Sequence, residues 1–140
     1  MLDITTFFSE NERVTIYQPG ICNPAGKYTL YWMQRAQRGY ENAALNAAID
    51  LGNALDLPIV VVFVLTEFEA ANLRHYTFML EGIAVVRRDL QDRGTQFIIR
   101  RGKPEVSQLS RYSIWLESFK QPLLLVMKAS FAYLEPGEMN

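Results

Sequence analysis

Gln34, Arg35, Gln37, Arg38 and Asn42 are the densest group of potential binding side chains in this 140-residue sequence. Two guanidinium groups and three carboxamides could hold a planar or anionic ligand, because both groups present N–H donors in fixed planes. They follow a strand-like segment and precede a helix-like one, so a helix N-terminus would add positive potential there. The competing reading is a solvated loop whose arginines only keep the surface wet, since exposed charges commonly contribute little. Arg100, Arg101 and Lys103 form a second basic cluster, either a phosphate patch or another solvated charge run.

Other chemistries find little to build on. Residues 34–39 lack the G-x-G-x-x-G turn that lets a backbone press against a pyrophosphate. No G-x-x-x-x-G-K-[ST] loop and no G-x-S-x-G elbow occurs anywhere. His75 is the one histidine and Cys22 the one cysteine, which excludes an internal disulfide and makes a Cys/His zinc site implausible. His75 reads as an ordinary helix residue, and Cys22 as a loop thiol with no flanking cation to activate it. Tyr31 and Trp32 read as core aromatics. Trp115 lies off the stripe of its helix and is free to rest against a neighbouring domain.

Alternating elements must position these groups. Residues 28–33 read as a strand buried on both faces, and 59–64, after Pro58, as the strongest strand of the chain. Between them, residues 41–56 place Leu45, Ala48, Ile49, Gly52 and Leu55 on one helical face. Asn72 is suited to cap the next helix, whose buried stripe would be Leu73, Tyr76, Leu80, Ile83, Val86 and Leu90. Arg93-Gly94 would end it with a cation and a left-handed glycine. Gly82, unfavourable inside a helix, suggests close approach to the sheet. A third strand is expected at 96–100, a third helix from Pro104 to Pro122 and a fourth strand at 123–127. The resulting βαβαβαβ order implies an α/β fold: an open parallel Rossmann-like sheet of about four strands, order 3-2-1-4, with helices on both faces. Residues 1–27 read as an irregular lead-in, 28–128 as the α/β domain and 129–140 as a divergent tail.

Composition agrees with one ordinary folded domain. Lys+Arg 14 against Asp+Glu 15 gives a net charge of -1, and 49% of residues are hydrophobic. That balance argues against a generally basic nucleic-acid coat. The longest unbroken apolar run, residues 59–65, is far short of the ~18 residues that suggest a membrane span. No basic leader is visible at the start, so a cytoplasmic location is expected.

Two stretches go further. Gly26-Lys27-Tyr28-Thr29-Leu30-Tyr31-Trp32-Met33-Gln34-Arg35-Ala36-Gln37-Arg38, followed by Asn42-Ala43-Ala44-Leu45, resembles the opening of class II cyclobutane pyrimidine dimer photolyases. Ala71-Asn72-Leu73-Arg74-His75-Tyr76-Thr77-Phe78-Met79-Leu80-Glu81-Gly82 is similar to a second signature of that family. The resemblance covers residues from about 13 to 104 and fades after Val106. It departs at Lys103, where the family often has an acidic residue, and at Lys128-Ala129-Ser130, where an acidic residue and a basic, tyrosine-containing segment would be expected.

The resemblance implies light-driven DNA repair. In that family an N-terminal α/β domain can hold an antenna chromophore, often a deazaflavin. A helical domain binds reduced FAD and the flipped-out dimer. It implies Met33, Gln34, Arg35, Arg38 and Asn42 as the antenna site, with no catalytic residue and no metal. Damaged DNA and the helical FAD domain would be the partners. The FAD domain is expected to be absent and the chain to be inactive alone, and the exposed sheet edge is expected to invite self-association. A stand-alone module for a nucleotide-like or flavin-like ligand, or a non-functional remnant, are the competing readings.

Overall fold

The computed structural model describes residues 2–14, 16, 22, 25–34, 36–67, 70–102 and 126–128. Their elements are α1 (Ile4–Phe7), β1 (Thr29–Met33), α2 (Ala43–Leu55), β2 (Ile59–Thr66), α3 (Leu73–Asp92), β3 (Gln96–Gly102) and β4 (Val126–Lys128). The expected third helix, residues 123–125 of the expected fourth strand and the tail lie outside the described residues.

β1, β2 and β3 form a parallel sheet with β2 in the middle. All five residues of β1 are buried, as expected for a continuous apolar run covered on both faces. Register sets Tyr31 beside Val61 and Val61 beside Phe97, so one row of alternate residues faces the helices. That row, with Met33, packs on Leu45 and Ala48 of α2 and on Val86 and Leu90 of α3. Leu30, Val60 and Val62 form a separate cluster from the other row. Among the described residues, both long helices therefore serve the same face. This follows from handedness, because two right-handed crossovers stepping in one direction lay their helices on one side. The three residues of β4 run parallel to β1, with Leu30 opposite Val126.

Helix ends follow local chemistry. Asn72 accepts from the His75 N–H at 3.1 Å, and His75 Nδ1 accepts from the Asn72 N–H at 3.1 Å, closing a capping box. At the other end Gly94 adopts φ 72, while the Gly94 and Thr95 N–H groups donate to the Gln91 and Leu90 carbonyls. That is the glycine stop expected of Arg93-Gly94.

Three expectations change. Gly82 does not approach the sheet: it is exposed, and a Cβ there would meet nothing within 4 Å. The α3 stripe is buried only at Ile83, Val86 and Leu90, whereas Leu73 is 82% and Leu80 44% exposed. Tyr76, in the first turn, is half-buried, and its hydroxyl donates to the Thr66 carbonyl at the end of β2 at 3.3 Å. Residues 2–8 are not wholly irregular, because Asp3 caps α1 through the Thr5 and Thr6 N–H groups. Ile4 and Phe8 then pack with Cys22 on Ala47 and Leu51 of α2.

Candidate functional site

The loop after β1 is organised from inside by Asn42. Its Oδ1 accepts the Leu45 N–H at 3.2 Å and so caps α2. Its Nδ2 donates to the Ala36 carbonyl at 3.0 Å, the Arg38 carbonyl at 3.1 Å and the Tyr31 hydroxyl at 3.2 Å. One buried carboxamide thus ties strand, loop and helix. Glu41, at φ 49, supplies the left-handed turn that delivers Asn42 to this position. Burial pushes the Tyr31 phenol above its usual range, while the bond to Asn42 pulls weakly the other way. Tyr31 therefore stays protonated across the ordinary pH range.

The same loop is gripped from outside by α3. Arg93 Nη1 donates to the Gly39 carbonyl at 2.6 Å, and Nη2 donates to Asn46 Oδ1 at 3.0 Å. The guanidinium also lies 5.5 Å from the centroid of the Tyr40 ring. Gly39 rests against Asp89, whose Cβ would be 2.3 Å from a Cβ at position 39. Only glycine permits that approach.

The five candidate residues separate by role. Met33 is fully buried in the core between sheet and helices. Asn42 is 2% exposed with both side-chain polar atoms engaged, so it shapes the loop rather than reaching outward. Gln34 is half-buried, and its carbonyl accepts from Gln37 Nε2 at 3.0 Å. Arg38 is exposed, and its guanidinium has no partner among the described residues. Arg35 lies outside the described residues. The structure thus brings Gln34, Gln37 and Arg38 onto one clamped loop and sets Met33 and Asn42 behind it. Arg93, Asn46 and Tyr40 were not legible as members of this group. The contact from Arg93 to Gly39 spans 54 residues, and no local pattern signals it.

The second basic cluster is partly neutralised. Arg101 Nη2 lies 2.5 Å from Glu67 Oε1, both side chains well exposed, so the pair contributes little stability but cancels charge. Arg100 donates to the neighbouring Ile99 carbonyl at 3.2 Å. Lys103 lies outside the described residues. Cys22 is buried, and its thiol is held above its usual range by burial and by the nearby Asp3 charge, against a smaller opposing backbone bond. That is the setting of an inert thiol. No group of three or more potential metal ligands occurs among the described residues, and no described helix is long and apolar enough to cross a membrane.

Residues 29–112 match the family model described as DNA photolyase. The chain is 45% identical over 89 residues to a deoxyribodipyrimidine photo-lyase of Methanothermobacter thermautotrophicus, covering 63% of this chain and 20% of that protein. It is 33% identical over 94 residues to the protein of the same name in Arabidopsis thaliana, covering 64% and 19%. With that of Potorous tridactylus it shares 36% identity over 77 residues, covering 54% and 14%. The chain therefore spans a fifth or less of the length of these curated relatives.

Proposed function

The chain belongs to the DNA photolyase family, and on that footing we propose that it forms the antenna-bearing α/β part of a class II deoxyribodipyrimidine photolyase acting in light-dependent repair of pyrimidine dimers in DNA. The observation that carries this reading is the family match over residues 29–112, which contains β1 through β3 and the clamped loop. The complete sheet in this reading has four strands in the order 3-2-1-4, which places the loop after β1 where strand order reverses. Ligands of open α/β sheets bind at that point.

The donor set suits a planar, anionic chromophore of the deazaflavin type. The Arg38 guanidinium is exposed and offers a fork of N–H donors, and the half-buried Gln34 side chain offers an amide on the same loop. Arg35 belongs to the same proposal by its place in the motif. Asn42 and Tyr31 serve it from behind by fixing the loop, and Met33 by filling the core beneath. When bound, the antenna would supply light absorption and pass excitation to the flavin of a full-length photolyase. We assign no residue of this chain to FAD or to the dimer.

Titration of the purified chain with 8-hydroxydeazaflavin tests the reading. Saturable binding with a shifted absorption band is expected, weakened in Arg38→Ala. A wild-type chain that leaves the spectrum unchanged would overturn it. The alternative of a stand-alone flavin-like ligand module shares that binding outcome. It is separated by asking whether bound chromophore transfers excitation to reduced FAD in a full-length relative whose α/β part has been replaced by this chain.

A further inference from the structure

Arg93 closes one helix, touches the start of another and holds the loop between β1 and α2. As a helix-ending cation it would need only the last carbonyls of α3 and water. Instead both of its terminal nitrogens are committed elsewhere, one to the Gly39 carbonyl and one to Asn46, with Tyr40 alongside. The side chain is half-buried, so these bonds are less diluted by solvent than those of an exposed arginine. Gly39 and Asp89 are in contact close enough to exclude a side chain, so loop and helix cannot separate without breaking this packing.

From this geometry we infer that Arg93 is a positioning residue for the antenna loop, setting how tightly the Gln34–Arg38 surface binds its ligand; the inference rests on the antenna reading above. Arg93 does not touch the ligand. It fixes the loop at the Gly39 carbonyl, next in sequence to Arg38, while Asn42 holds the Ala36 and Arg38 carbonyls just before it. The two anchors hold the carbonyls of consecutive residues, Arg38 and Gly39. Lysine cannot replace arginine here, because a single ammonium cannot span Gly39 and Asn46 with a planar fork.

The test compares wild type, Arg93→Lys, Arg93→Gln and His75→Ala. His75 lies at the far end of α3, about 27 Å away by helix rise, and caps the helix without touching the loop. Both Arg93 variants are expected to bind 8-hydroxydeazaflavin roughly tenfold more weakly, as loss of a supporting contact typically does. His75→Ala is expected to lower thermal stability with unchanged affinity. Amide hydrogen exchange without ligand gives an independent reading, with faster exchange expected at residues 36–42 in the Arg93 variants alone. If wild type binds and both Arg93 variants bind equally well, the positioning role is overturned while the antenna reading stands. Unchanged exchange at 36–42 would also overturn it. If wild type itself binds nothing, the antenna reading fails, and with it any role in affinity.

Discussion

Asn42 shows how much one carboxamide can determine. Its removal by Asn42→Ala takes away a helix cap, about 1 kcal/mol. It also strips the donor from two loop carbonyls and from a buried hydroxyl, for a combined loss of about 3 kcal/mol in urea unfolding. Asn42→Asp keeps an acceptor for the Leu45 N–H but turns a carboxylate toward the Ala36 and Arg38 carbonyls. It is expected to be no more stable than Asn42→Ala, and recovery of wild-type stability would show that the cap alone matters. Tyr31 adds a pH dependence. Because burial raises its folded-state pKa, the folded chain holds this proton more tightly than the unfolded one. The stabilisation is complete below the unfolded value of about 10 and is lost as pH rises through the folded value. Tyr31→Phe should therefore flatten the alkaline fall in the urea midpoint. The buried Cys22 thiol, shifted in the same direction, remains in both proteins and cancels from the difference.

The elements divide into those whose physics is local and those whose physics is not. The strands were legible because runs such as 59–65 admit no exposed face, and Pro58 marks where the second begins. The ends of α3 were legible because an Asn cap and a terminal glycine act within a few residues. Gly82 was misread for an equally physical reason, since a mid-helix glycine signals close approach only if something lies opposite, and nothing does. Gly82→Ala should accordingly stabilise the protein by about 1 kcal/mol, the helix-propensity difference with no steric penalty. Gly52→Ala should do the reverse. Its Cβ would lie 2.8 Å from Ile59 Cδ1 and 3.1 Å from the Leu57 carbonyl, a backbone atom that cannot easily retreat. A shift of both variants in the same direction on thermal melting would contradict this contrast. At the site, the candidate loop was legible as a cluster of donors, but which of them turn inward was not. Asn42 faces in and Arg38 faces out because of the Glu41 turn and the Arg93 grip, and these are set by tertiary contacts rather than by spacing.

At the scale of the whole molecule, several cations among the described residues are paired or lie beside acids. Fourteen basic residues face fifteen acidic ones. Arg93 is spent on the loop, Arg101 on Glu67, and the exposed Arg87 and Arg88 are followed immediately by Asp89. Affinity for duplex DNA comes chiefly from phosphates neutralised by clustered Lys and Arg, each adding close to one unit to the salt slope. With that overall balance and these pairings, this chain is expected to engage few phosphates. Its dissociation constant for a dimer-containing duplex should then be weaker than about 10⁻⁴ M at physiological salt, with a shallow salt dependence. Fluorescence anisotropy across a salt series measures both quantities. The same chain is expected to bind 8-hydroxydeazaflavin, so the two measurements separate light capture from lesion binding on one polypeptide. Tight DNA binding with a steep salt slope would place a lesion-recognition surface within these residues and count against the proposed antenna reading.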